Sequence, residues 1–137
     1  MTERPAVTAL IDTVAWVLIE RGRVLCARPT GKDVFYVPGG KREGAETDLE
    51  TLTREIEEEL TVAVLPESVA PVGTYEAVHE PGAVCVRMSC YTADYRGTLT
   101  PSSEIAEIAW FGYHDRVRVP PVDQLLFDDL AAAGLLH

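Results

Sequence analysis

The stretch GGKREGAETDLETLTREIEEEL, Gly39 to Leu60, constrains the chain more than any other. Within it Leu49, Leu52, Ile56 and Leu60 recur at helical spacing and share a narrow apolar stripe. Thr47 is the expected N-cap, and Glu50 three residues later completes a capping-box pattern. At about 100° per residue, Glu55, Glu58 and Glu59 occupy a second window of about 100° beside that stripe. Standing at i, i+3 and i+4, their carboxylates are neighbours. Glu50 and Glu57 fall on the far flank as solvated charge, and Arg54, four residues before Glu58, is placed to pair with it. Crowded carboxylates beside a buried face raise one another's pKa unless a cation compensates. One arginine cannot neutralise three, and hard oxygen ligands with room for water suit Mg²⁺ or Mn²⁺. An exposed acidic helix face explains the glutamates alone equally well. Gly39 and Gly40 shift the balance, because a glycine pair lets backbone approach a ligand closely.

Around this helix the pattern is that of strands. Asp12–Glu20 and Arg23–Arg28, broken at Arg21–Gly22, read as a hairpin. The turn Pro29–Asp33 leads to a short strand VFYV, and Gly39–Gly40 reads as a loop. Val62–Leu65, Val72–His79, Val84–Tyr95 and Ile105–Phe111 follow as strands, parted by Pro- or Gly-containing turns. Pro120–Pro121 opens a final helix, Val122–Leu135. The order predicts an α+β fold in a single domain over residues 1–137.

With 47% hydrophobic and 25% charged residues, the composition is that of a folded soluble protein. A net charge of -10 and a pI near 4.6 argue against non-specific binding to nucleic acid or anionic membrane. A small phosphorylated ligand stays open, since a metal ion inverts the local field. The N-terminal MTERPAVTAL has no signal pattern, and no apolar run is long enough to span a bilayer. Cys26, Cys85 and Cys90 lack metal-type spacing and read as structural thiols of a reducing compartment. A cytoplasmic protein is expected.

Gly40, Glu46, Arg54, Glu55, Ile56, Glu58, Glu59 and Val62 fit the box G-x5-E-x7-R-E-U-x-E-E-x-G-U, with U aliphatic. The chain therefore resembles the Nudix hydrolases. Thr61 departs from the pattern, standing where the family has the Gly that ends the helix, and this puts a left-handed cap in doubt.

The resemblance implies the Nudix fold, a mixed β-sheet sandwiched between α-helices. It also implies a pyrophosphohydrolase that cleaves a nucleoside triphosphate or another nucleoside diphosphate derivative with Mg²⁺, or alternatively Mn²⁺. By similarity Glu55, Glu58 and Glu59 hold metal with a backbone carbonyl of Gly39 or Gly40. One of these carboxylates is available to activate water, and Arg54 orients a catalytic one. Glu46 resembles a supporting acid. A further acid from a later loop is expected at Glu104, with Glu107 second. Arg28 and Lys32 are candidates for substrate phosphates, with surface cations the plain alternative. Tyr36, Val37 and Trp110 are candidates for a base pocket, with core packing the alternative.

VPPVDQL resembles the base-contacting segment of oxidised-guanine-nucleotide-cleaving members, with Asp123 in place of their Asn. An ionised carboxylate only accepts hydrogen bonds, so a different base preference is implied. The family leaves a homodimer open. Two other classes compete: a non-hydrolytic nucleotide-binding or regulatory Nudix module, and a diphosphate isomerase. Retention of every box acid argues against the first, and the lack of a suitably placed catalytic Cys against the second. His79 and His114 suggest no role.

Overall fold

A computed structural model of the chain describes residues 9–79 and 84–137. The Pro–Gly turn expected between the sixth and seventh strands, and the start of the N-terminal segment, lie outside these residues. Nine strands and two α-helices follow in chain order: β1 Ala9–Trp16, β2 Ile19–Glu20, β3 Arg23–Pro29, β4 Gly39–Lys41, α1 Asp48–Leu60, β5 Ala63–Val64, β6 Ala70–His79, β7 Val84–Thr92, β8 Tyr95–Arg96, β9 Ile105–Phe111 and α2 Pro121–Ala132.

The principal sheet has the order β4-β1-β7-β6. β1 runs parallel to β7, and the other pairs are antiparallel, so the sheet is mixed. β2-β3-β9 form a second sheet, and β5-β8 pair separately.

Both faces of β1 and β3 are covered, which their sequences require. Val14 and Trp16 point to a cluster with Leu52, Ile56 and Leu60 of α1, whereas Ala15 and Val17 point to one with Leu126, Phe127 and Leu130 of α2. In the same way Leu25 joins the α1 side, and Val24 and Cys26 the α2 side. The mixed sheet is therefore sandwiched between helices, as expected. Trp16 also donates its indole N–H to the Ala93 carbonyl at 3.0 Å, so the large ring is buried without losing a partner. Cys26 and Cys90 are buried and Cys85 is half-buried, all as free thiols.

The capping box forms as predicted, with Glu50 N donating to Thr47 Oγ1 and Thr47 N to Glu50 Oε1. Other expectations are corrected. Leu49 is exposed, and Thr51 takes its place in the buried set. Glu46 folds back over the first turn and accepts from Thr51 Oγ1 at 3.1 Å, which covers that turn on a different side.

VFYV is not a strand. Tyr36 makes a single bridge with Ala27, two bonds of 2.8 Å, before the chain turns away at Pro38. Gly39–Gly40 is not a loop but the start of edge strand β4, in register with Ala15 and Val14. α2 ends at Ala132 rather than Leu135, ahead of the left-handed Gly134.

Thr61 is left-handed after all, with φ 64° and ψ 26°. A β-branched residue there carries strain, and its hydroxyl compensates by donating to the Thr100 carbonyl at 3.0 Å.

Candidate active site

Two glycines bring α1 and β4 together. The left-handed Gly39 lies so close to β1 that a Cβ on it would come within 2.8 Å of the Ala15 Cα. A Cβ on Gly40 would meet Glu55 Oε1 at 2.5 Å, so the Glu55 carboxylate occupies the space a side chain would need. Gly39 N–H donates to Glu59 Oε1 at 2.9 Å. The absence of side chains thus seats two acids of the helix directly on the sheet edge.

These two acids and the glycines line one end of a cleft of about 510 Å³. Burial pushes the Glu59 carboxyl up to about 8, against the opposing hydrogen bond from Gly39, and the charges of Glu55, Glu58 and Glu104 add to it. Burial also raises Glu55, and Arg54 opposes that shift.

Glu58 is placed differently from the other two. Its side chain is 55% exposed and lies outside the cleft lining. At three residues from Glu55 it is rotated by about 60° to the side away from Glu59. The expected pairing of Arg54 with Glu58 is correspondingly loose, at 3.8 Å. Arg54 instead donates to Glu46 through Nε and Nη2 at 2.9 Å, and to Glu55 through Nη1 at 2.8 Å. These bonds, with a backbone bond from Glu43, hold Glu46 down at about 2. Arg54 therefore bridges a supporting acid and a cleft acid.

The later-loop candidates separate as well. Glu104 lines the cleft, and its charge reaches Glu59. Glu107 is held by Arg28 Nε at 2.7 Å, while Arg28 Nη1 donates to the Lys32 carbonyl at 2.9 Å. Arg28 lies outside the cleft lining, and Trp110 packs on the α1 side of the sheet, away from it.

Lys32, Tyr36, Val37 and Asp123 do line the cleft. The Lys32 ammonium sits 5.6 Å over the Tyr36 ring. Asp123, only 3% exposed, accepts from Val37 N–H at 2.9 Å, and burial raises it to about 7. That bond closes the start of α2 onto the loop before Gly39.

Sequence reasoning missed the cleft floor: Ile11, Thr13, Val86, Met88 and His79. Their signal was strand alternation, which is legible only once the β1–β7–β6 register is known.

The donors fit a hard divalent cation. Glu55 and Glu59 each keep one oxygen that accepts no protein hydrogen bond among the described residues. No three His, Cys, Asp or Glu side chains among the described residues form a ready-made cage. That is no obstacle for Mg²⁺, which keeps several of its waters and is anchored by one or two carboxylates plus substrate phosphates.

Comparisons with known proteins give the family. The family model described as "NUDIX domain" matches residues 3–129. The chain belongs to the Nudix family, and it is a hydrolase acting on pyrophosphate bonds. Nudix hydrolases act on nucleotide derivatives and generally use divalent metal ions.

A curated relative from Escherichia coli (strain K12), "CTP pyrophosphohydrolase", is 29% identical over 132 residues, covering 90% of this chain and 93% of the relative. The solution structure of the E. coli ORF135 protein matches with a TM-score of 0.74 at 25% identity, covering 92% of this chain and 91% of that one. A MutT NUDIX hydrolase from Burkholderia pseudomallei shares the fold, with a TM-score of 0.70 at 19% identity over 89% of this chain and 96% of that one. No helix among the described residues is long and apolar enough to cross a membrane.

Proposed function

We propose that the protein hydrolyses a nucleoside triphosphate, or a related nucleoside diphosphate compound, with Mg²⁺ as its divalent ion and Mn²⁺ as a substitute. The observation that carries this reading is the seating of Glu55 and Glu59 on Gly39 and Gly40, at one end of a cleft whose other end has apolar walls. Such a cleft takes a ligand with a charged head and a flat, weakly polar tail. The relative described as a CTP pyrophosphohydrolase supports a nucleoside triphosphate as the substrate class.

Glu55 and Glu59, with Glu58 from the helix rim and a carbonyl of Gly39 or Gly40, would hold the ion. When bound, it neutralises phosphate oxygens and lowers the cost of building charge at phosphorus. Arg54 fixes the Glu55 carboxylate and so keeps the acid end rigid. An attacking water forms a new oxygen–phosphorus bond as the bridging P–O bond breaks. Its proton passes to a carboxylate of the cluster, with Glu104 at the cleft edge as the further acid. Lys32, which lines the cleft and makes no ion pair among the described residues, faces the phosphates. Arg28, engaged by Glu107, supports the turn that carries Lys32 and meets phosphate only if that pair opens.

Tyr36, Val37 and Asp123 contact the base. Raised to about 7, Asp123 keeps its proton below that pH and then both donates and accepts, as an amide does. A cytoplasmic setting is supported by the three free thiols.

The test is a product analysis across nucleoside triphosphates including CTP, oxidised nucleotides, nucleotide sugars, dinucleoside polyphosphates and ADP-ribose, with and without Mg²⁺. Folded protein that releases no nucleotide product from any of them would defeat the proposal.

A further inference from the structure

The floor of the cleft away from the acids is the α2-facing side of the principal sheet. Residues paired in register share a face, so Ala9–Val84–His79, Ile11–Val86–Ala77 and Thr13–Met88–Tyr75 form three successive rungs. The rungs are about 6.7 Å apart. Ile11, Val86 and Met88 give the cleft an apolar surface suited to the plane of a heteroaromatic ring.

Polar side chains at this end are few, and most are committed. The Thr13 hydroxyl donates to the Arg87 carbonyl at 2.9 Å. Asp123 holds Val37 N–H, and Lys32 stacks on Tyr36. His79 differs from all of these. It lines the cleft, yet its Nε2 is buried and has no hydrogen-bond partner among the described residues. A buried ring nitrogen without a partner costs free energy, and native proteins rarely leave one so.

We propose that His79 is a specificity-determining residue, whose Nε2 hydrogen-bonds to the polar edge of the substrate's nucleobase. The inference rests on the nucleotide reading above and extends it to a named contact. The base lies on Ile11, Val86 and Met88, and a turn of the imidazole, which lines the cleft, brings the covered nitrogen onto the base's edge. A neutral imidazole nitrogen donates in one tautomer and accepts in the other, so His79 adapts to either edge but rewards only a base that presents one. Far from the acids, this contact is made equally in the bound substrate and in the transition state. It therefore governs KM and base preference and leaves kcat alone.

The experiment compares His79→Phe and His79→Gln with the parent across the four common nucleoside triphosphates and their oxidised forms. For the preferred base, His79→Phe raises KM about tenfold, with kcat within about twofold. Preference among bases flattens, and His79→Gln, which keeps hydrogen-bonding capacity, recovers part of it. In a separate measurement without metal, a nucleoside monophosphate titrated into parent protein shifts the His79 ring NMR signals and leaves those of the exposed His114 in place. This second readout holds even if His79→Phe folds poorly.

An equal KM rise for every base overturns the proposal. So do unmoved His79 signals at saturating nucleotide. In either case continued turnover by the parent leaves the hydrolase reading standing. If the parent neither binds a nucleoside monophosphate nor hydrolyses any nucleotide, the nucleotide reading falls, and this inference with it.

Discussion

The two ends of the cleft are built on opposite plans. At the acid end, α1 and β4 meet with no side chain between them, and Glu55 and Glu59 rest against bare backbone. At the far end, Tyr36, Asp123 and His79 arrive from a loop, a helix start and a strand end, with no hydrogen bond joining one of these side chains to another among the described residues. The acid end is intolerant because the core holds its geometry. The far end can change one residue at a time. On the proposed function, chemistry and selectivity are lodged in parts of the fold with different freedom to vary.

The largest effect that could break this contrast belongs to Glu59. Glu59→Gln is expected to lower kcat about a thousandfold, because it removes an anchoring carboxylate while preserving shape. Its metal-free melting temperature should exceed the parent's above about pH 8, where the buried Glu59 ionises and an amide does not. A variant that kept a tenth of parental turnover would take Glu59 out of the machinery.

Gly40→Ala comes next. The new methyl overlaps the Glu55 carboxylate, so thermal unfolding should show a loss of about 1–3 kcal/mol together with weakened activity. Lys32→Ala at the exposed turn should cost less than about 0.5 kcal/mol in the same assay. Equal losses at the two sites would mean the bare-backbone seat of Glu55 is no less tolerant than an exposed turn.

Asp123 sharpens the comparison through pH. Its folded pKa, about 7, lies above the usual carboxylate value because the group is buried. The folded state therefore holds a proton that the unfolded chain releases at lower pH. The stability this gives is fully present below about pH 4 and is lost as pH rises to about 7. Asp123→Asn has no such proton, so the difference between parent and variant denaturation curves should grow in the variant's favour across that window, by about 4 kcal/mol. Base preference should shift in the same variant while kcat for the preferred substrate stays near that of the parent. A flat difference curve would mean Asp123 keeps an ordinary pKa.

Two opposing effects are expected to offset each other away from both ends. Thr61→Gly relieves left-handed strain but loses the bond to the Thr100 carbonyl, so the two changes should leave stability within about 1 kcal/mol of the parent.

These residues also mark how far the sequence could be read. The helix, its capping box and the inward direction of Glu55 and Glu59 follow from local spacing, which a single helix enforces by itself. The exposed setting of Glu58 does not, because three acids that share a helical window diverge once one flank meets the sheet and the other meets solvent. Arg54 was assigned to Glu58 on helical spacing, whereas its strongest partner, Glu46, lies outside the helix. Gly39–Gly40 looked like a turn because glycines usually are one, and only the pairing with Ala15 and Val14 makes it a strand. The cleft floor was the least legible part. Ile11 comes beside the strands of Met88 and His79 through a parallel pairing of β1 with β7, strands more than sixty residues apart, for which no local pattern carries a signal.

The bonds along the outer edge of the cleft have a mechanical consequence. β3 and β9 stay paired as far as Pro29 and Ile105, Thr30 N–H reaches the Glu104 carbonyl at 2.7 Å, and Arg28 ties Glu107 to the turn. The segment carrying Lys32 and the segment carrying Glu104 are therefore one piece. This wall of the opening is anchored on two paired strands, so a substrate meets Lys32 and Glu104 on a single support.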